Sequence, residues 1–124
     1  MIEYFFAAVI FVVLDGIYIN LIKGAFSKQI KNVQGSDMQI NIIAAAITYL
    51  ILIFGLIYFI LRRNRSVRDA AIFGFVIYGV YDFTNMATLK NWSIILAIID
   101  TCWGAILFGL TTAIIYKLEN FFPK

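Results

Sequence analysis

Four long apolar stretches occupy most of this 124-residue chain and restrict what it can fold into. A helix that crosses a bilayer needs about 20 mostly apolar residues, and each stretch is about that long. Because the stretches are unbroken rather than alternating, membrane-spanning strands are not expected. Hydrophobic residues make up 63% of the chain and charged residues 14%, whereas soluble domains average about 45–50% and about 25%. The sequence therefore predicts an all-α integral membrane protein, with spans at about residues 4–22, 40–61, 69–88 and 92–116.

The connections between the stretches predict a single domain, residues 1–124, folded as an antiparallel four-helix bundle. Residues 62–68 and 89–91 form short polar turns, and short turns make consecutive helices antiparallel neighbours. We therefore expect helices two, three and four to stack in sequence order. The longer polar segment, residues 23–39, is predicted to be an exposed loop that can include a surface helical turn.

The distribution of basic residues predicts the orientation of the bundle. With four spans, both termini and the arginine-rich turn lie on one side of the membrane. That side carries Arg62, Arg63, Arg65, Arg68, Lys117 and Lys124, and the other side carries Lys23, Lys28, Lys31 and Lys90. Because cytoplasmic loops are enriched in Lys and Arg, both termini are predicted to be cytoplasmic, in a plasma or inner membrane. The first stretch has no basic start and contains Asp15, so we interpret it as a retained helix rather than a secretory signal.

Three aspartates, Asp15, Asp82 and Asp100, lie inside the predicted spans. A carboxylate near the middle of a bilayer costs about 2.5–3.5 kcal/mol on insertion scales, so such groups normally face a protein interior or a watery cavity. At about 1.5 Å per residue, all three lie at a similar depth, roughly 16–20 Å from the side of the termini. We therefore predict that three helices bring a carboxylate to one layer of the bundle.

Each aspartate has a hydrogen-bonding side chain three residues later, on the same helical face. The full predicted polar site comprises Asp15, Tyr18, Tyr78, Tyr81, Asp82, Thr84, Asn85, Asp100 and Trp103. Small residues are expected to allow close helix packing. On helix four, Gly104 is expected to allow such an approach. On helix two, a face suited to close packing is formed by Asn41, Ala44, Ala45, Thr48 and Gly55. Aromatic residues near the span ends, Tyr4, Phe5, Phe6, Trp92, Tyr116, Phe121 and Phe122, are interpreted as interfacial anchors, and Cys102 as a small buried apolar residue.

Several kinds of chemistry are not expected. The chain has no histidine and one cysteine, which argues against a zinc site or a histidine-assisted nucleophile. We find no glycine-rich phosphate loop, and we predict neither a cofactor nor a metal, although carboxylates can hold Mg²⁺ or Ca²⁺. The net charge of +3 is consistent with basic loops near lipid headgroups and gives no reason to expect nucleic acid.

Two motifs in the second half of the chain carry a family resemblance. Tyr81 to Leu89 reads YDFTNMATL, is followed by Asn91 and Trp92, and precedes the DTCWG sequence that begins at Asp100. Together with Leu14-Asp15 and Tyr18, they resemble a family of small predicted membrane proteins catalogued as domain of unknown function 2177. The resemblance implies a four-helix topology and the importance of Asp15, Asp82, Asn85, Asp100 and Trp103, but no activity. The family often has proline after the tryptophan, where this chain has Ser93.

Three functions are compatible with the sequence. No Lys, Arg or His lies within the spans, so the aspartates either are protonated or bind protons or a cation. The favoured hypothesis is a channel or transporter for protons or cations, in a homo-oligomer because four helices form a thin wall. The second is a membrane-embedded enzyme that acts on lipid or another apolar substrate with an aspartate as acid or base. The third is a structural or partner-binding subunit whose protonated aspartates only lock the bundle.

Overall fold

The computed structural model describes residues 1–122, which are helical apart from their connections and ends. Helix α1 covers Ile2–Gln34, and α2 covers Ile42–Leu56 and continues as a π-helix over Ile57–Leu61. Helix α3 covers Val67–Thr88, and α4 covers Ile94–Leu118 and ends in a 3₁₀ turn, Glu119–Phe121. All four helices are long and apolar enough to cross a membrane. The prediction of an all-helical, four-span membrane protein is confirmed.

The helix boundaries follow from residues that satisfy free backbone groups. The side chains of Asn41, Ser66 and Ser93 accept hydrogen bonds from the amides that begin α2, α3 and α4, at 3.0, 3.0 and 3.2 Å. Such caps replace the partners that the first backbone amides of a helix lack. Gly35 ends α1 in the left-handed conformation, with φ of 78°, which glycine adopts without steric cost. Ser93 thus starts α4 without the proline of the family pattern.

Helix α1 is longer than the sequence suggested, so the prediction of a loop over residues 23–39 is wrong for most of that segment. Its 33 residues correspond to about 50 Å of helix, well beyond the roughly 30 Å hydrocarbon core. The polar extension continues because no residue breaks the helix before Gly35. It is held against the α3–α4 turn, where the Gln29 side chain accepts from the Ser93 amide at 2.6 Å and Asn91 donates to the Asn32 carbonyl at 3.0 Å.

The closest helix pair is α3 with α4. The pair crosses at Gly74 and Gly104, and a Cβ added at Gly104 would lie 2.6 Å from the Gly74 carbonyl oxygen. The predicted close approach at Gly104 is therefore confirmed. Helix α1 packs against α4, and α2 packs against α1. Of helices two, three and four, which were expected to stack in sequence order, only α3 and α4 pack closely. Helix α2 meets α3 through side chains, with the Phe59 and Phe73 rings 5.6 Å apart.

Helix α2 uses only part of the small-residue face predicted for it, because Gly55 lies against the Phe73 ring of α3 but most of the earlier residues are exposed. Asn41, Ala44 and Thr48 are exposed, and between residues 41 and 48 only Ala45 is even half-buried. Asn41 instead caps the helix. The side that meets the bundle carries Tyr49, Leu52, Ile53 and Leu56. The lipid-facing and bundle-facing sides of this helix are equally apolar, so apolarity did not indicate which side packs. Cys102 likewise is exposed on the bundle surface rather than buried.

The two ends of the bundle differ in composition. At one end, here called the terminal side, Phe6 and Phe122 bring the two chain termini together with ring centroids 5.3 Å apart. The Tyr116 hydroxyl joins α4 to the arginine turn by donating to the Arg65 carbonyl at 2.5 Å. The opposite end, the loop side, carries the α1–α2 connection and the α3–α4 turn. Lys124, assigned to the terminal side by sequence, lies outside the described residues.

Candidate functional site

Two hydrogen bonds cross between α1 and α4 and form the centre of the polar site. The Tyr18 hydroxyl donates to Asp100 at 2.9 Å, and the Trp103 indole nitrogen donates to Asp15 at 2.9 Å. The Tyr18 and Trp103 rings stack with centroids 4.6 Å apart and planes 7° from parallel. The sequence placed Asp15 beside Tyr18 and Asp100 beside Trp103, in each case an aromatic donor on the same helix. In the structure each acid instead bonds to the aromatic donor of the other helix.

Helix α2 contributes a donor that the sequence analysis did not select. The Tyr49 hydroxyl donates to the second carboxyl oxygen of Asp15. Asp15 is only 7% exposed, and each of its carboxyl oxygens accepts a hydrogen bond from another helix. A signal for Tyr49 was available, since Thr48 and Tyr49 are the hydroxyl-bearing residues nearest the middle of the second apolar stretch.

Asp82 is the most buried carboxyl group of the site. It is 2% exposed and lies beside the carboxyl of Asp100 and the indole of Trp92. Neither Asp82 Oδ2 nor the Trp92 indole nitrogen has a hydrogen-bond partner. The ion pairs among residues 1–122 join other groups, Met1 with Glu3, Lys31 with Asp37 and Arg65 with Asp69. Asp82 therefore lies beside another acid, and Asp15 and Asp100 accept hydrogen bonds from neutral donors. Within the described part of the chain, none of the three forms an ion pair with a basic side chain.

The remaining predicted residues divide between the site and its surroundings. Tyr78 packs closely on Gly104: a Cβ added at Gly104 would lie only 2.5 Å from the Tyr78 ring. Tyr81 approaches Trp92 edge-on at 6.2 Å. Asn85 lies beside Tyr81 rather than bonding to Asp82, and Thr84 is exposed and outside the cluster.

Trp92 corrects another expectation. It was interpreted as an interfacial anchor, but it is only 8% exposed and packs between Phe26 and Tyr81, both edge-on at 6.2 Å. Its burial results from the extension of α1, which carries Phe26 over the α3–α4 turn. Because the sequence predicted that extension to be a loop, nothing in the pattern placed an apolar ring over Trp92.

A cleft of about 490 Å³ opens on the loop side beside these acids. Asp15, Asp100, Tyr18 and Tyr78 line its polar end, and Lys23, Met38 and Ile40 lie nearer the loop side. The intervening wall consists of Ile19, Ile22, Phe26, Thr48, Leu52, Ile77 and Tyr81. The cleft exists because the first half of α2 makes little contact with the other helices. The cleft thus leads along an apolar wall to the buried carboxyl of Asp15 and the half-buried carboxyl of Asp100.

The arrangement restricts the chemistry of the site. Carboxyl groups without a basic neighbour can hold protons or attract a cation. Within residues 1–122, no three side chains of the His, Cys, Asp and Glu types are grouped to hold a metal ion. The groups available for binding are thus carboxyl oxygens, hydroxyls and aromatic rings.

The fold and its four lipid-exposed apolar helices define a multi-pass integral membrane protein. A family model described as a predicted membrane protein, DUF2177, matches residues 1–117. The chain belongs to this family, so the resemblance carried by the tyrosine-aspartate and tryptophan-glycine motifs is confirmed. No curated protein and no solved structure matches the chain.

Proposed function

We propose that this protein is a small membrane transporter that binds protons or a cation at Asp15, Asp82 and Asp100. The observation that carries the proposal is that buried Asp15 and half-buried Asp100 line the end of a cleft that opens on one side, with buried Asp82 beside Asp100. Among residues 1–122, no basic side chain forms an ion pair with these acids. Charged groups inside a membrane protein are costly and commonly mark an ion or proton pathway. A purely structural network would not need a chamber leading to it.

The packing beyond the acids favours a transporter over an open channel. Phe11, Leu56, Leu107 and Phe108 are completely buried and fill the bundle between the acids and the terminal side. An open pore needs a continuous path, whereas a transporter exposes its site to one side at a time. Helix α2, held less closely than α3 and α4, is the element we expect to move. One chain supplies all the residues that line this cleft, so the proposal does not depend on the homo-oligomer expected from the sequence.

Flux into liposomes tests the proposal. We expect wild-type protein to carry protons, Na⁺ or K⁺, and Asp15→Asn and Asp100→Asn to reduce the flux to that of protein-free liposomes. Asp37→Asn is the matched control, because Asp37 is exposed and pairs only at the surface, 3.6 Å from Lys31. Each variant is first checked for folding by its elution and thermal unfolding in detergent. Absence of flux in folded wild-type protein, or equal flux in all variants, contradicts the proposal.

The apolar wall of the cleft favours one other candidate, an enzyme that acts on lipid or another apolar substrate with Asp100 as acid or base. Its carboxyl lies at the polar end of the cleft, within reach of a bound headgroup. Mass spectrometry of lipids incubated with the purified protein distinguishes the two candidates. A new lipid product that is lost in Asp100→Asn, without ion flux, would replace transport with catalysis.

A further inference from the structure

The cleft combines features that together indicate one class of ligand. We propose that it binds an amphiphilic organic cation, a protonated amine or quaternary ammonium group attached to an apolar body. This inference rests on the proposed function and specifies the substrate class of the same site. The cationic group would lie near Asp15 and Asp100, and the apolar body would lie along the wall formed by α1, α2 and α3.

The charge of the cleft sets the sign of the ligand. Its polar end presents the carboxyls of Asp15 and Asp100. Behind them Asp82 is 2% exposed and has an oxygen without a hydrogen-bond partner. An incoming positive charge would meet carboxyl groups that form no ion pair with any basic side chain in residues 1–122. Lys23, the basic residue that lines the cleft, lies two turns along α1 from Asp15, nearer the loop side.

The size and lining of the cleft favour an organic cation over a metal ion. Pockets for small organic ligands commonly enclose about 300–1,000 Å³ and are mostly apolar, and this cleft of about 490 Å³ has an aliphatic and aromatic wall. A hydrated alkali ion would leave that wall without a matching surface. An ammonium group can also interact with the faces of aromatic rings, and Tyr18 and Tyr78 stand beside the carboxyls.

The exposed half of α2 provides the route. Residues 41–48 are almost entirely exposed, so the cleft is bordered on that side by a helix with few contacts. An amphiphile dissolved in the bilayer can therefore enter the cleft sideways, past this half of α2, and place its cationic group at the polar end. Small inorganic ions have no comparable route through lipid.

A pair of probes of equal shape tests the role of charge. The cationic probe is naphthylmethyl-trimethylammonium, and the neutral probe replaces its nitrogen with carbon to give a tert-butyl group. Binding to the full chain in nanodiscs is measured by isothermal titration calorimetry, and protein-free nanodiscs of the same lipid correct for partitioning of the probes. We expect saturable binding of the cation and at least about tenfold weaker binding of the neutral probe, or about 1.4 kcal/mol.

Three variants locate the binding site. We expect Asp100→Asn to weaken binding of the cation by about tenfold while leaving the neutral probe unchanged. Leu52→Trp should block both probes by filling the cleft, and Lys23→Gln should tighten cation binding about twofold by removing a like charge. Cys102→Ser, on the exposed surface, is the matched control. Equal binding of the two probes, or cation binding unaffected by Asp100→Asn and Leu52→Trp, overturns the inference.

The result separates this inference from the proposed function. Proton or Na⁺ flux that requires Asp15 and Asp100, without binding of the organic cation, would retain transport and reject the substrate class. Saturable, aspartate-dependent binding of the organic cation without any flux would retain the ligand and reject transport.

Discussion

The terminal half and the loop half of the bundle are built from the same four helices but are packed differently. In the terminal half, aromatic and aliphatic side chains fill the space, and Phe11 and Phe108 meet edge-to-face with ring centroids 5.3 Å apart. In the loop half, tyrosine and tryptophan side chains extend toward carboxyls, and a cleft of about 490 Å³ is left. In lipid, dense packing supplies much of helix association. The comparison therefore indicates that the terminal half holds the helices together and allows the loop half to retain a cavity.

The largest expected effect lies at the crossing of α3 and α4, which joins the two halves. Gly104→Ala places a Cβ 2.5 Å from the Tyr78 ring and 2.6 Å from the Gly74 carbonyl oxygen. The Gly74 backbone cannot move aside as a flexible side chain can, so we expect the free energy of unfolding to fall by about 3 kcal/mol or more. The measurements are the yield of monodisperse protein and the unfolding temperature, both of which should fall. Gly16→Ala is the control, since nothing lies within 4 Å of its added Cβ. Equal stability of the two variants would contradict the crossing.

The next effect compares one side chain from each half. Phe108→Ala removes a completely buried ring, whereas Leu52→Ala shortens one of the side chains that line the cleft. Buried Phe→Ala costs about 3–5 kcal/mol in soluble proteins. In a membrane, the ring is exposed to lipid rather than water when the helices separate, so its burial contributes less. We therefore expect Phe108→Ala to lower the free energy of unfolding by about 2 kcal/mol. Leu52→Ala should cost less than half of that. Thermal unfolding in detergent measures both, and a larger loss for Leu52→Ala would show that the loop half, too, depends on dense packing.

A smaller effect is expected from the hydrogen bond that attaches α2 to the acids. Tyr49→Phe removes the hydroxyl that donates to Asp15, and interhelical hydrogen bonds in membranes contribute about 0.6–1.7 kcal/mol. We expect Tyr49→Phe to lower the free energy of unfolding by about 1 kcal/mol and to speed amide hydrogen exchange in residues 42–50. Tyr58→Phe, the same change in the π-helical part of α2 on the terminal side, should leave exchange unaltered. Similar exchange in both variants would mean that Tyr49 does not hold the first half of α2.

The smallest effect marks the boundary of the site. Thr84 belongs to the family-like motif but is exposed and outside the carboxyl cluster. Thr84→Val should change stability by no more than about 0.5 kcal/mol and should leave the tryptophan fluorescence of the bundle unchanged. A clear spectral shift at Trp92 or Trp103 would extend the site to this face of α3.

The sequence predicted those parts of the structure that depend on local spacing. Helical rise predicted the common depth of the acids, and the i,i+3 rule placed Tyr18 and Trp103 on the faces that meet. Spacing within a helix does not determine the rotation of its neighbour, so the crossed pairing and the donor Tyr49 were not predicted. Helix α2 was the hardest case, because a helix that is apolar all round gives no contrast between its lipid side and its protein side.

The chain positions of these hydrogen-bonded residues also determine the order in which the bonds can form during synthesis. Asp15 enters the bilayer with the first helix, but its Trp103 donor follows 88 residues later, with the last. Tyr49 follows after only 34 residues, so during synthesis the α1–α2 hairpin can satisfy one oxygen of Asp15 long before α4 is inserted. Gln29 must wait for Ser93, 64 residues downstream. The nascent chain thus carries the Asp15 carboxyl in the membrane from the first helix onward, with Tyr49 as its first interhelical donor and Trp103 as its second, added when α4 completes the bundle.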